Sequence, residues 1–222
     1  PLPMTAPRDT RSDALERAWL VAAHLGDTPR AEVEDSLREL RALAGTARAE
    51  IAGETLCRLR TLHPATYIGL GKARQIAEAA AAADVRLVIF DDDLTPAQGR
   101  ALEDLFRVRV VDRTQLILDI FAQRALTLEG GLQIELAQLR YLIPRLRGLW
   151  THLERQKGGI GLKGPGEKQL ELDRRRIEQR ITRIRAQIQI IRQRRAELRR
   201  GRRRHGWALL TLVGYTNAGK ST

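Results

Sequence analysis

The sequence is poor in cysteine, in aromatic residues and in long apolar runs. One cysteine in 222 residues excludes an internal disulfide framework and a cysteine-based zinc site. Aromatic residues make up only 4% of the chain, which argues against stacking of nucleobases on aromatic side chains as its means of binding nucleic acid. No apolar run approaches the roughly 18 residues that a membrane-spanning helix requires. The first residues lack a continuous apolar run, so we expect no secretion signal. We therefore expect a cytoplasmic protein without a membrane span.

Positive charge is abundant, and it is concentrated in one stretch. The chain carries a formal net charge of +12. Between Lys168 and Arg204 there are 15 Lys or Arg residues and 4 Asp or Glu residues, so this stretch alone has a net charge of +11. The rest of the chain is nearly neutral. A strongly cationic segment on a nearly neutral body indicates a polyanionic partner.

Residues 13–126 have the pattern of a small α/β domain, and residues 1–12 before them are expected to be a disordered leader. Apolar runs predict four strands, at 17–23, 54–59, 85–90 and 108–111. A helix is predicted between successive strands, which favours a parallel sheet. The third run is apolar throughout, as in a strand that is buried on both faces. Thr95 and Pro96 are typical of the cap and first residue of a helix.

Residues 127–205 have the heptad pattern of two helices that form a long antiparallel coiled-coil hairpin. The first apolar stripe comprises Leu132, Leu136, Leu139, Ile143, Leu146, Trp150 and Leu153, and the second comprises Leu170, Ile177, Ile181, Ile184, Ile188, Ile191 and Leu198. A glycine-rich tip, residues 156–166, joins the helices. Because it holds more glycines than a turn needs, we expect it to contact a partner. Pro144 predicts a kink or local break in the first helix.

Residues 206–222 have the pattern of the truncated start of a P-loop nucleotide-binding domain. A predicted strand, 207–213, leads into a Gly-x₄-Gly-Lys-Ser motif whose backbone N–H groups can surround a phosphate. Lys220 would bring charge to the β- and γ-phosphates, and the Ser221 hydroxyl would be a Mg²⁺ ligand. The predicted nucleotide-binding residues are Gly214, Tyr215, Thr216, Asn217, Ala218, Gly219, Lys220, Ser221 and Thr222. No switch or base-specificity segment follows, so we expect the 222 residues to be an inactive fragment without a catalytic residue.

Two weaker clusters admit a second ligand site in the α/β domain. Gly69–Lys72 opens a predicted helix, and Asp91–Asp93 ends a predicted strand. Ligands of parallel sheets bind at the carboxyl ends of strands, so a second nucleotide or Mg²⁺ site is one interpretation. We favour the other, in which the glycines form a turn and the aspartates are capping or solvated residues.

Several segments resemble the HflX-type GTPases, a family of ribosome-associated P-loop GTPases. These segments are TYIGLGK (66–72), VIFDDDLTPAQ (88–98), VVDRTQLILDIFAQRA (110–125), EGGLQIELAQLRYLIPRL (129–146), GGIGLKGPGEKQLELDRRRI (158–177) and GYTNAGKST (214–222). The resemblance implies an N-terminal α/β domain, a helical hairpin and a GTPase domain that uses GTP and Mg²⁺. It also implies binding to the large ribosomal subunit and GTP-linked splitting or rescue of ribosomes. We expect the protein to be a monomer.

An arginine-rich hairpin suits ribosomal RNA, because cationic side chains gain affinity by displacing the counterions of phosphates. The predicted RNA-binding residues are Lys157, Lys163, Lys168, Arg174, Arg175, Arg176, Arg180 and Arg183. Two alternatives stay open. The chain could be a non-enzymatic RNA-binding module, or it could belong to an ATP-dependent nucleic-acid remodeller.

Overall fold

Four parallel strands form the sheet of the N-terminal part of the chain. The structure is a computed structural model that describes residues 15–26, 28–149, 165–205, 210 and 213–214. The strands are β1 (Glu16–Leu25), β2 (Ala49–Leu59), β3 (Leu87–Phe90) and β4 (Arg109–Val111). They lie in the order β2-β1-β3-β4, and every neighbouring pair is parallel, which confirms the predicted α/β class. β2 begins earlier than predicted because its first residues pair with β1 from Glu16 onward.

Helices cover both faces of this sheet. They are α1 (Arg30–Thr46), α2 (Leu70–Ala82), α3 (Pro96–Phe106) and α4 (Arg113–Arg124). On one face Phe90 packs with Ile76 of α2 and Leu102 of α3. On the other face Ile89 packs with residues of α1 and α4 such as Leu40. All four residues of β3 are buried, which confirms the prediction that this strand is covered on both sides.

The predicted start of α3 is confirmed in detail. Thr95 is the N-cap, and its Oγ1 accepts a hydrogen bond from the backbone N–H of Gln98 at 3.3 Å. In return the Gln98 Oε1 accepts from the backbone N–H of Thr95 at 3.0 Å, which completes a capping box. Pro96 occupies the first helical turn, where its missing N–H removes no intrahelical hydrogen bond.

Two long helices follow, α5 (Leu128–Leu149) and α6 (Pro165–Arg204). They pack antiparallel, because Leu132 clusters with Ile184 and Ile188 while Leu146 clusters with Ile177 and Ile181. Leu198 of the predicted second stripe is exposed, so the stripe prediction is wrong at that residue. α5 continues through Pro144, so the helix has no break there, while a kink at the proline stays a prediction. Packing of the stripe on both sides of the proline holds the helix together. Most of the tip, most of the segment 206–222 and the N-terminal leader lie outside the described residues, so those predictions and the domain boundaries stay predictions. Pro165 and Gly166, the last residues of the predicted tip, begin α6.

The α5–α6 pair packs against the α/β domain through α5. α5 lies against α3 and α4 of the α/β domain, and α6 lies on α5. The positive charge of α6 is therefore carried on a helix that is connected to the sheet through α5. None of the helices in the described part of the chain is both long enough and apolar enough to cross a membrane.

Two glycines should respond in opposite ways to replacement by alanine. A Cβ at Gly53 would collide with the indole ring of Trp19, which is held by a 2.9 Å hydrogen bond from its Nε1 to Thr55 Oγ1. We expect Gly53→Ala to destabilise the fold by about 1–3 kcal/mol, the usual cost of overpacking. Gly45 lies in α1 with open space around it, so Gly45→Ala should stabilise the fold by about 0.5–1 kcal/mol. Chemical denaturation measures both, and changes of the same sign would contradict the prediction.

Candidate nucleic-acid interface

The predicted nucleotide-binding loop lies almost entirely outside the described residues. Of its nine residues, Gly214 alone is described, and it is exposed. The loop, including Ser221 as a Mg²⁺ ligand, therefore stays a prediction. Within the described ranges, no group of three His, Cys, Asp or Glu side chains is placed to hold a metal ion.

Asp91–Asp93 lie at the carboxyl end of β3, beside the point where the strand order changes direction between β1 and β3. Their partners come from the same domain. Asp91 accepts hydrogen bonds from Ser36 Oγ of α1 and from Arg113 Nη1 of α4, the latter at 2.6 Å. Asp93 accepts from Thr114 Oγ1 at 2.6 Å. The sequence pattern suggested a capping or solvated carboxylate, but Asp91 instead links α1 and α4 to the end of β3.

The Asp92 side chain is half-buried and lies beside Tyr67. Burial raises the pKa of Tyr67, and the nearby Asp92 carboxylate raises it further. Burial also raises the pKa of Asp92, whose Oδ2 is buried and has no hydrogen-bond partner among the described residues. Tyr67 has a left-handed backbone (φ 62°), and Gly69 two residues later has φ 80°. The segment before α2 is therefore a tight turn that needs glycine, as we favoured from the sequence.

The predicted RNA-binding arginines lie on α6, and four of them are paired with carboxylates of this chain. The nearest distances are 2.9 Å for Arg174–Glu178, 3.1 Å for Arg175–Glu171, 3.3 Å for Arg176–Asp173 and 2.7 Å for Arg180–Glu135. The last pair is bidentate and joins α6 to α5. Arg183 is exposed and forms no salt bridge with a described residue. Lys157, Lys163 and the side chain of Lys168 lie outside the description.

From Arg183 onward, α6 carries positive charge that no described carboxylate pairs with, apart from Glu129 at Arg195. We call eight residues the arginine stretch: Arg183, Arg185, Arg192, Arg194, Arg199, Arg200, Arg202 and Arg204. All eight are exposed, and none forms a salt bridge within the described part of the chain. At about 1.5 Å of rise per residue, the stretch is roughly 30 Å long. Arg195, which lies within this span, is paired with Glu129 of α5 at 2.6 Å.

The unpaired arginines of α6 lie mainly in its second half, whereas the sequence pattern placed the RNA-binding arginines at its start. Seven of the eight stretch residues were not among the residues chosen from the sequence. A signal was present, because Glu171, Asp173 and Glu178 lie three or four residues from the arginines they pair with. Between Arg183 and Arg204, by contrast, Glu197 is the only acidic residue of the sequence.

Comparisons with known proteins identify the family. Residues 34–122 match a family model described as GTP-binding GTPase N-terminal, and residues 124–202 match one described as GTP-binding GTPase Middle Region. The chain is also 50% identical over 212 residues to GTPase HflX of Escherichia coli K12. The chain belongs to the HflX GTPase family. This confirms the resemblance seen in the sequence.

Other HflX proteins match over a similar extent. GTPase HflX of Alkalihalophilus pseudofirmus is 43% identical over 215 residues. The matches cover 96% and 97% of this chain but 49% and 51% of the Escherichia coli and Alkalihalophilus proteins. This member of the HflX family thus spans about half the length of the curated relatives it matches.

Two solved structures share the fold. The crystal structure of an SsGBP and GDP complex has a TM-score of 0.60 and covers 82% of this chain and 46% of its own. A GTP-binding protein from Sulfolobus solfataricus in complex with GDP has a TM-score of 0.55, with 80% and 46% covered. Both are 20% identical to this chain, so the likeness concerns the fold alone.

The half-buried Asp92 should make the stability of the fold depend on pH in a definite direction. Because burial raises its pKa above 3.8, the folded state keeps the proton at a pH where the unfolded chain has lost it. The contribution of Asp92 to stability is therefore present at low pH and is lost as the pH rises through the folded pKa. Asp92→Asn should consequently raise the melting temperature more at pH 7 than at pH 4. Asp93→Asn, at the exposed neighbour, is the control, and an equal effect of Asp92→Asn at both pH values would refute the assignment.

Proposed function

We propose that the chain is the N-terminal and middle part of a GTP-binding and GTP-hydrolysing factor. This factor associates with ribosomal RNA of the large ribosomal subunit and promotes the splitting or rescue of ribosomes in the cytoplasm. Membership of the HflX family along both matched regions is the observation that carries the proposal. The relatives are named as GTPases, and two crystal structures of the same fold contain GDP.

The arginine stretch supports an RNA partner. An exposed ion pair contributes little and leaves no net charge, so Arg174 to Arg180 have less to offer a phosphate than unpaired arginines. The eight exposed guanidinium groups of the stretch can instead displace counterions from the RNA backbone. Guanidinium also suits phosphate because it donates two parallel hydrogen bonds.

The nucleotide site in this proposal is the loop of residues 214–222. Lys220 would contact the β- and γ-phosphates of GTP, and Ser221 would hold Mg²⁺. The loop follows α6 in sequence, so the nucleotide would be sensed by a domain that continues directly from the RNA-contacting helix. GTP would hold the factor on the ribosome, and hydrolysis would release it.

Two variants, each with four arginines replaced, compare the contributions of unpaired and paired arginines to RNA binding. One variant changes Arg192, Arg194, Arg199 and Arg202 to Gln, and its matched control changes Arg174, Arg175, Arg176 and Arg180 to Gln. We expect the first to weaken binding to large ribosomal subunits more than the second, because the control residues are already neutralised. For the first variant, the slope of the logarithm of the binding constant against the logarithm of the salt concentration should fall in magnitude by about 3, because four phosphate contacts are lost.

The measurement is co-sedimentation with large ribosomal subunits over a series of salt concentrations. Equal losses in the two variants would show that total charge, not unpaired charge, determines binding. Unchanged binding in both would reject RNA contact through α6.

The nucleotide part is tested with the longer gene product. The sequence after Thr222 should contain an Asp-x-x-Gly segment and an Asn-Lys-x-Asp segment, and Lys220→Ala should abolish binding of fluorescent GTP. ATP should not compete. Competition by ATP would favour the ATP-dependent remodeller, whereas RNA binding without any nucleotide binding would favour the non-enzymatic module. Tight GTP binding by the 222 residues alone would contradict the expectation that they are an inactive fragment.

A further inference from the structure

A buried aspartate joins three parts of the fold at the carboxyl edge of the sheet. Asp112 follows β4, and its side chain is 1% exposed. Its Oδ1 caps α4 by accepting a hydrogen bond from the Gln115 N–H at 2.9 Å. Its Oδ2 accepts from the Leu94 N–H, in the loop after β3, at 3.3 Å and from Arg145 Nη2 of α5 at 2.9 Å. One carboxylate therefore ties α4, the loop after β3 and α5 together.

Arg145 is fixed by more than this ion pair. Its Nη2 also donates to the Leu94 carbonyl at 2.7 Å, and its guanidinium lies 3.4 Å from the centre of the Tyr141 ring. Burial and the Asp112 carboxylate raise the pKa of Tyr141, so the phenol stays protonated beside the carboxylate. We call Asp112, Tyr141 and Arg145 the α5 clasp.

The clasp matters because the junction between α5 and the α/β domain is polar. In the described residues, α5 belongs to neither hydrophobic cluster of the α/β domain, and its apolar stripe packs against α6 instead. A second polar contact, from Gln138 Nε2 to Asp119 Oδ1 at 3.3 Å, lies on the same junction. Hydrogen bonds are directional, whereas apolar packing is not, so these contacts set the angle of α5.

We propose that Asp112, Tyr141 and Arg145 are positioning residues that hold the α5–α6 pair at one angle to the α/β domain, so that the arginine stretch meets RNA on a rigid body. The inference rests on the proposed function. Since α6 packs on α5, any motion of α5 relative to the α/β domain also moves the arginine stretch. A rigid surface loses less conformational entropy when it binds, and this is how the clasp raises affinity without touching RNA.

The test uses three conservative variants of the full chain. Arg145→Lys keeps the charge but removes the planar fork and its stacking on Tyr141. Tyr141→Phe removes one hydroxyl, and Asp112→Asn keeps the oxygen that caps α4. Arg38→Lys, at an exposed arginine of α1, is the control for a change of arginine to lysine. The readouts are hydrogen exchange of α5 amides, the circular dichroism spectrum, and binding to large ribosomal subunits over a salt series.

We expect faster hydrogen exchange in α5, an unchanged helical spectrum and about fivefold to tenfold weaker binding, because the mobile helix pair must be ordered on the ribosome. The salt slope should equal that of the wild type, since no RNA-contacting charge is lost. Three results would overturn this inference and leave the proposed function standing. They are faster hydrogen exchange in α5 with wild-type affinity, unchanged hydrogen exchange, and a salt slope smaller than that of the wild type. Failure of the wild-type chain to bind subunits would overturn the proposed function and this inference with it.

Discussion

The apolar seam between α5 and α6 is the interaction on which the rest of the hairpin depends. α6 has 40 residues, and the positive charges of its arginine stretch repel one another. Ile177, Ile181, Ile184 and Ile188 are buried against α5, and each contributes roughly 1.5–3 kcal/mol by leaving water. Helices of such composition gain most of their stability from packing of this kind, so without the seam the arginines would have no ordered helix to occupy.

Electrostatics then divides this helix into two halves with different roles. In the first half, carboxylates of α5 and of α6 itself neutralise the arginines and strengthen the hairpin. In the second half, the arginine stretch is left without carboxylate partners among the described residues. A uniform cationic helix would gain affinity for RNA at the expense of its own stability. The division lets one end stabilise the hairpin while the other end remains free to bind.

Much of the fold could be predicted because its signals are local or periodic. The continuous apolar run of β3 and the Thr95–Pro96 cap each depend on residues close together in sequence, and the structure agrees with both. The heptad stripes are periodic signals, and their described side chains pack between α5 and α6 except Leu198, which is exposed. Pro144 misled the prediction of a break, because the packing of α5 against α6 offsets its local effect. The candidate site was less predictable, since pairs such as Arg180–Glu135 join residues 45 positions apart.

The sequence by itself determined the class of fold, the family and the presence of a strongly cationic helix, because composition, periodicity and motifs are properties of the chain. The tertiary structure alone decided which arginines are unpaired and where the hairpin lies. Arg145 meets Asp112, 33 positions earlier in the sequence, only when the chain has folded. Asp91 becomes a link between α1 and α4 only when both helices lie at the carboxyl edge of the sheet. Such contacts depend on distances in space, and no pattern along the chain encodes them directly.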